Sequence, residues 1–337
     1  MDAVRGRVAV VGAGSWGTTI AHTLADTASV ALWARDPVLA AELAERRTNQ
    51  RHLPGAHLDP RVAVHSDLAA AVGDADAVLV AVPTVGLRAV VAAAAPDLPE
   101  GVPVVSLAKG FEPGTGLRMT EVIGAVAPGH PRAALTGPNL AREILEGHAA
   151  ASVLAVGDDA VGERLQDLLA TEWFRVYRNT DVVGCELAGA LKNVVAIAAG
   201  MAEGLGTGDN TRAALITRGL AELARLGAAL GGNPLTFSGL AGLGDLVATC
   251  ASPLSRNRHV GEQLGRGRPL ADVLEGMTSV AEGVTAAPIA VALAEEHGIE
   301  VPIAAQVTEV LSGRATAAQA YRGLLGRRRR TELYGLG

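Results

Sequence analysis

Aromatic residues make up only 3% of this 337-residue chain, so its interior must be built mainly from Ala, Val and Leu within a hydrophobic fraction of 49%. Cysteine is scarcer still. Cys185 and Cys250 are too few for a disulfide framework and lack metal-ligand spacing, which points to a cytoplasmic protein with no metal site. Charged residues reach only 19% and the formal net charge is -6, which argues against general nucleic-acid binding while leaving room for a local basic pocket that holds an anion. The opening "MDAVRGRVAVVGAG" has too short an apolar run before its glycines to act as a signal peptide. Lysine is as rare as cysteine: of 29 Lys and Arg residues, only Lys109 and Lys192 are lysines.

That last scarcity has chemical content. A guanidinium stays protonated at any biological pH, whereas a buried ammonium can shift its pKa and move a proton. This chain writes arginine wherever charge alone is needed, so its two lysines are candidates for chemistry, with chance survival as the bland alternative. Lys192 lies in "GALKNVVAIAAG", inside an apolar helical stretch, and Lys109 lies in "SLAKGF". Residues 182–206 are about long enough to cross a bilayer, but Glu186, Lys192 and Asn193 interrupt them where charge and polarity are expensive. A buried core helix, with no membrane insertion, is expected there.

The front of the chain reads strand, glycine turn, helix: "RVAVV" at 7–11, then Gly12, Gly14 and Gly17 in "GAGSWG", then "TTIAHTLA". In a dinucleotide-binding unit the first glycine makes the tight turn and the second admits the pyrophosphate, while the third lets helix pack on strand. The phosphates meet the free N–H groups at the helix start. Further strand-like runs follow "SVALWARDP", at 76–83, 103–110, 131–138, 150–157 and 173–179. Strand–helix alternation of this kind implies an α/β fold with a mainly parallel sheet. Ligands bind outside the carboxyl ends of such strands, where Pro83, Lys109 and Gly137 fall; a solvated loop lysine is the alternative for Lys109. Beyond residue 180 strand-like runs disappear, and helical segments are expected at 186–203, 211–230, 257–265, 281–297 and 303–313. The expectation is a Rossmann-type dinucleotide-binding domain over 1–180 and an all-helical domain over 181–337. The basic run "GRRRRTEL" near the end reads as a solvated tail.

Taken together, "VGAGSWG", "SLAKGFE", "TGPNLARE", "ELAGALKNVVAIAAG", "RAALITRGLAE", "SGLAGLGDLVATC" and "SRNRHVGEQLG" resemble bacterial NAD(P)-dependent glycerol-3-phosphate dehydrogenases from residue 7 to about 326. The glycine motif is common to many dehydrogenases. The lysine–asparagine helix followed by "AGLGDL" and "SRNR" is specific to this family.

The resemblance implies interconversion of dihydroxyacetone phosphate and sn-glycerol 3-phosphate, in the service of phospholipid synthesis. Lys192 matches the catalytic lysine that gives a proton in reduction and takes one in oxidation. Lys109 matches a second site lysine touching substrate and cofactor, and its charge would lower the pKa of the pair. Asp245 matches a site carboxylate that holds Lys192. Asn193 and Thr249 are further substrate contacts, and Ser255, Arg256 and Asn257 form the phosphate cradle, with Ser255 capping the helix that follows. The polar residues among these could instead be caps or core hydrogen-bond residues. Ser15, Trp16, Ala141, Arg256, Val280 and Glu282 are implied cofactor contacts beside the three glycines. Gly137 is an implied substrate contact. Asn139 stands where the family usually has Ser or Thr, and Leu140 where it has Phe, which leaves the side-chain role of Asn139 open. Arg35 in "LWARDP" matches the position that meets a 2'-phosphate, so NADPH is the expected cofactor with NADH a second one. Asp36, turned inward, would favour NADH instead. No metal is implied, and the resemblance leaves room for a homodimer. The readings kept beside this one are a β-hydroxyacid or phosphogluconate-type dehydrogenase and a catalytically silent nucleotide-sensing module.

Overall fold

The computed structural model describes residues 4–277 and 280–326, so the C-terminal arginine run lies outside the described residues. The chain divides into two compact units. One comprises residues up to Ala108 together with Glu112–Val182; the other comprises Lys109–Phe111 together with the chain from Val183 onward.

The first unit is a Rossmann-like layer structure. In chain order it runs β1 (Arg7–Val11), α1 (Ser15–Leu24), β2 (Ser29–Trp33), α2 (Pro37–Glu45), a short hairpin of β3 (Thr48–Asn49) and β4 (Leu53–His57), β5 (Ala63–His65) and α3 (Leu68–Val72). It continues through β6 (Ala77–Val80), α4 (Thr84–Ala94), β7 (Val104–Ser106), α5 (Met119–Val126), β8 (Arg132–Thr136), α6 (Ala141–Leu145), β9 (Ala150–Ala155), α7 (Asp159–Leu169) and β10 (Phe174–Asn179). Eight strands form one sheet in the order β10-β9-β8-β7-β6-β1-β2-β5. All neighbours are parallel except β8 and β9, which pair antiparallel.

Side chains alternate between the two sheet faces, so a continuous apolar run serves both. Val8 and Val10 of β1 pack in one core layer with Ile20 and Leu24, and Ala9 and Val11 pack in the other with Leu87, Val91 and Met119. The apolar runs read from the sequence coincide with β1, β2, β6, β7, β8, β9 and β10. The hairpin and β5 carried no such signal. They have exposed or half-exposed residues and sit apart from the main sheet or at its edge.

The second unit is helical: α8 (Val182–Gly204), α9 (Asp209–Ala229), α10 (Asp245–Ala251), α11 (Arg256–Gly265), α12 (Leu270–Glu275), α13 (Glu282–Glu296), α14 (Pro302–Leu311) and α15 (Ala317–Leu325). Its centre is α8, in which 89% of the most apolar 18-residue window is buried. Leu187, Leu191, Val194, Val195 and Ile197 of this helix pack on Leu223, Leu226, Phe237, Val260 and Val307. A helix apolar on every side belongs in such a core, and each Leu or Ile so buried contributes about 1.5 to 3 kcal/mol.

Two details of this unit could not be read from periodicity. A single π-turn over Leu240–Gly244 leads directly into α10. It forms where Gly242 lies against the backbone of Phe237, with a Cβ there falling 2.1 Å from the Phe237 carbonyl oxygen. On α9, the carboxylate of buried Glu222 accepts the N–H groups of Ile303 and Ala304, both at 2.9 Å, at the start of α14. That helix begins with Val301 as its cap and Pro302 behind it, so it depends on a distant acid to satisfy its first donors.

Candidate active site

In the first unit the glycine turn has the form that a pyrophosphate requires. Gly12 adopts φ +116°, which favours glycine, and a Cβ on Gly17 would fall 1.8 Å from the Gly12 carbonyl oxygen. Around Gly14 the space is open: apart from its own residue and chain neighbours, no heavy atom lies within 4 Å of where its Cβ would stand. Gly14 is also the N-cap of α1 and lends that helix no side-chain hydrogen bond. An uncapped helix start beside an open glycine fits an anion. Ser15 and Trp16 are the first two residues of the helix, and Trp16 meets Phe174 with ring centroids 6.1 Å apart.

A residue with no signal in the sequence steadies this turn. Asn49, on the short β3, donates through Nδ2 to the Ala13 carbonyl at 2.9 Å and to Thr18 Oγ1 at 2.8 Å. Nothing in "RRTNQ" signals that role, because the contact spans more than thirty residues and follows no period.

Arg35 is exposed two residues beyond the end of β2. Asp36 is the N-cap of α2: its carboxylate accepts the Val38 N–H at 2.9 Å and lies 3.7 Å from Arg51. After β8, Gly137 has φ +123° and passes close to Ser152. Asn139 Oδ1 accepts from Ser152 Oγ at 2.7 Å, while its Nδ2 is buried with no partner among the described residues. The amide therefore turns its acceptor inward and keeps a donor in hand. Ala141 opens α6, and its carbonyl accepts from Thr19 Oγ1 at 3.2 Å.

The second unit brings both lysines to one carboxylate. Lys192 Nζ donates to Asp245 Oδ1 at 2.6 Å and to Thr249 Oγ1 at 2.6 Å, and Lys109 Nζ donates to Asp245 Oδ2 at 2.7 Å. The elements that deliver these groups explain why the sequence is written as it is. Lys192 rides on the core helix α8, whereas Lys109 reaches in on the three-residue segment anchored by Phe111 in the same core. Asp245 is the first residue of α10, straight after the π-turn. Such turns often mark functional positions, and an acid in the first helical turn suits the dipole.

Asp245 and Lys192 are 2% and 5% exposed. Burial pushes the Lys192 ammonium down to about 8; the Asp245 carboxylate opposes that shift, and the Lys109 charge adds to it. Burial would raise the Asp245 carboxyl, but Lys109 and then Lys192 outweigh it and hold it below the usual carboxylate range. The nearby Cys250 thiol is driven by burial to about 12 and stays neutral. Both lysine side chains thus share the Asp245 carboxylate. An ammonium has three donors; Asp245 and Thr249 take two of those on Lys192, leaving one uncommitted.

Ser255 caps α11, its Oγ accepting the Arg258 N–H at 3.2 Å, with Arg256 exposed as the first helical residue. Asn193 and Asn257 are placed differently from simple ligand contacts. Asn257 Nδ2 donates to Asn193 Oδ1 at 2.8 Å, and Asn257 Oδ1 accepts the Gly283 N–H at 3.0 Å. Asn193 Nδ2 gives its hydrogens to the carbonyls of Lys109 at 3.0 Å and Gly189 at 3.4 Å, so toward a ligand it retains acceptor capacity. Glu282 begins α13, one residue before Gly283, and Val280 is exposed just upstream.

A glycine-turned dinucleotide unit and a buried, charge-coupled lysine define a nicotinamide-dependent dehydrogenase, the class that moves a hydride and a proton. Residues 7–161 match the family described as NAD-dependent glycerol-3-phosphate dehydrogenase N-terminus, and residues 181–322 match the corresponding C-terminus. The chain belongs to this family. It is 53% identical over 322 residues to glycerol-3-phosphate dehydrogenase (NAD(P)+) 2 of Sphingopyxis alaskensis, covering 96% of this chain and 97% of that one. Glycerol-3-phosphate dehydrogenase (NAD(P)+) of Mycobacterium avium is 48% identical over 98% of this chain and 97% of its own length. Among solved structures, glycerol-3-phosphate dehydrogenase of Coxiella burnetii superposes with a TM-score of 0.91 at 36% identity, covering 96% of this chain and 99% of that one.

Proposed function

We propose that this chain interconverts dihydroxyacetone phosphate and sn-glycerol 3-phosphate, with NADPH as preferred cofactor and NADH also accepted, and that it supplies glycerophospholipid synthesis in the cytoplasm. The boundary near residue 180 then separates a cofactor-binding domain from a catalytic one. Family membership supports the reaction, and the observation that carries the mechanism is the buried Lys192 ammonium held by Asp245 and Thr249 at 2.6 Å each. Gly12, Gly14, Ser15, Trp16, Gly17, Arg35 and Ala141, with Lys109, Arg256, Val280 and Glu282, would hold a nicotinamide cofactor, which when bound would supply or accept the hydride at carbon 2.

Lys192 delivers its free proton to the oxygen on carbon 2 in reduction and takes it back in oxidation. Asp245 and Thr249 fix the direction of that donor. Lys109 adds positive charge where alkoxide character develops. Ser255, Arg256 and Asn257 cradle the phosphate, and Gly137 and Asn139 contact the substrate, with the free Nδ2 of Asn139 suited to an acceptor oxygen. The NADPH preference rests on Arg35: Asp36 is engaged as a helix cap, which favours Arg35 as the group that meets the ribose.

Oxidation of NADPH on addition of dihydroxyacetone phosphate, followed at the reduced-nicotinamide absorbance band, tests the reading. Turnover is expected with this substrate and not with β-hydroxyacid-type substrates. A protein that binds NADPH yet turns over nothing would instead be a nucleotide sensor.

A further inference from the structure

The second arginine of "SRNR", Arg258, has no place in the scheme above, yet it stands at an unusually close helix crossing. A Cβ on Gly200 or Gly204 of α8 would fall 2.0 Å from the Arg258 carbonyl oxygen or 2.3 Å from that of Glu262. Reciprocally, a Cβ on Gly261 or Gly265 of α11 would fall 1.9 Å from the Ile197 carbonyl oxygen or 2.4 Å from that of Met201. Gly283, at the start of α13, lies against the Asn193 carbonyl in the same way, its Cβ position 2.7 Å away. The carbonyls of Asn193, Ile197 and Met201 are spaced four residues apart, so they line one face of α8. Along that face α11 and α13 approach α8 through these glycines, backbone against backbone, starting one residue beyond Lys192.

Beside this crossing the Arg258 side chain, 12% exposed, ion-pairs with Glu203 near the end of α8. Arg258 Nε and Glu203 Oε2 are buried without further partners among the described residues. The Glu203 side chain is 35% exposed, so the pair is half-buried; a pair with one unsatisfied buried atom on each side returns little stability compared with apolar filling, and its best-attested use is to fix register.

We propose that Arg258 and Glu203 are positioning residues that lock the register of α11 on α8, and thereby hold the helix start at Ser255, Arg256 and Asn257 at a set distance from Lys192. The proposal rests on the reading of that helix start as the phosphate cradle. At about 1.5 Å of rise per residue, Ser255 lies within about 5 Å along the axis of Arg258. A slip at the crossing therefore reaches the cradle undiminished. The pair acts on phosphate recognition and leaves the proton transfer alone.

The test compares Arg258→Met, Arg258→Lys and the control Arg266→Met, which removes an exposed ion pair to Glu262 on the same helix. Each is assayed with dihydroxyacetone phosphate and with unphosphorylated dihydroxyacetone, alongside Arg256→Ala and thermal unfolding. Arg258→Met is expected to raise KM for the phosphorylated substrate about 10- to 100-fold, the scale of a misplacement near 1 Å. Its kcat/KM for dihydroxyacetone and the pH limb near 8 should stay at parent values, Arg258→Lys should recover part of the loss, and Arg266→Met should match the parent. If Arg258→Met does not fold, Glu203→Gln carries the same comparison, since it removes the charge while keeping volume and an acceptor.

Equal losses on both substrates, or an unchanged KM, would overturn the proposal. The Arg256→Ala result separates the two layers of argument. If it raises KM while the Arg258 and Glu203 variants do not, only the positioning role is wrong. If it too leaves KM unchanged, the phosphate cradle itself is misplaced and the proposal falls with it.

Discussion

If Lys192 moves the proton as proposed, replacing it with arginine keeps the positive charge and removes the transferable proton, so the variant isolates that property. The structure sets the size of the effect. Two of the three ammonium donors are committed to Asp245 and Thr249, each at 2.6 Å, and only the third can reach a substrate oxygen. A guanidinium at this 5%-exposed position brings a larger planar group and cannot be deprotonated in proteins. Loss of positioned acid–base catalysis costs about 10²- to 10⁴-fold in kcat, or about 2.7 to 5.4 kcal/mol in the barrier.

The parent enzyme should show the matching pH dependence. Burial lowers the Lys192 pKa to about 8, so the protonated donor predominates below that pH and the neutral base above it. For reduction, kcat/KM should be level up to about pH 8 and then fall tenfold per pH unit; for oxidation it should rise to the same point and level off. Initial rates in both directions, with cofactor binding measured by fluorescence titration, give the answer. Near-normal turnover of Lys192→Arg would refute the reasoning, since charge alone would then suffice. So would a parent enzyme whose two directions lose activity on the same side of pH 8.

Other changes have equally definite outcomes. Asp245→Asn removes the carboxylate that both lysines share, so the limb near 8 should move to lower pH, opposite to the effect of removing Lys109; pH–rate profiles of the two variants read the signs. Arg35→Ala should weaken NADPH by about 1 to 3 kcal/mol, the range for a charge-assisted hydrogen bond, with little change for NADH; equal losses in side-by-side titrations would show that Arg35 does not read the 2'-phosphate. Gly17→Ala places a methyl 1.8 Å from the Gly12 carbonyl oxygen and should abolish tight dinucleotide binding, measured by titration. Glu222→Gln leaves one of the Ile303 and Ala304 N–H groups facing an amide donor, at about 1 to 3 kcal/mol, and should lower the denaturation midpoint while cofactor affinity holds.

Local signals were enough for much of this protein. The β-branched runs, each bounded by turn residues, marked the main strands because a strand buried on both faces is apolar at every position. Gly12 and Gly17 marked the turn because a side chain at either meets a positive φ or the neighbouring backbone, while Gly14 leaves open space at the helix start. Ser255 announced its helix cap for the same local reason: the bond it accepts comes from three residues downstream. The lysines stood out chemically against a background of arginine.

Whatever depended on residues far apart in the chain was decided by tertiary structure alone. Lys109, Lys192 and Asp245 meet only because α8, the segment around Phe111 and the π-turn before α10 converge, and it is the burial created there that carries the Lys192 ammonium down to about 8. The Asn193–Asn257 amide bridge, the Asn49 support of the glycine turn, the Glu222 clamp on α14 and the Arg258–Glu203 pair each join groups with no period between them. A sequence pattern records which face of an element is apolar, but a hydrogen bond between distant elements depends on their register, and that exists only once the core has packed.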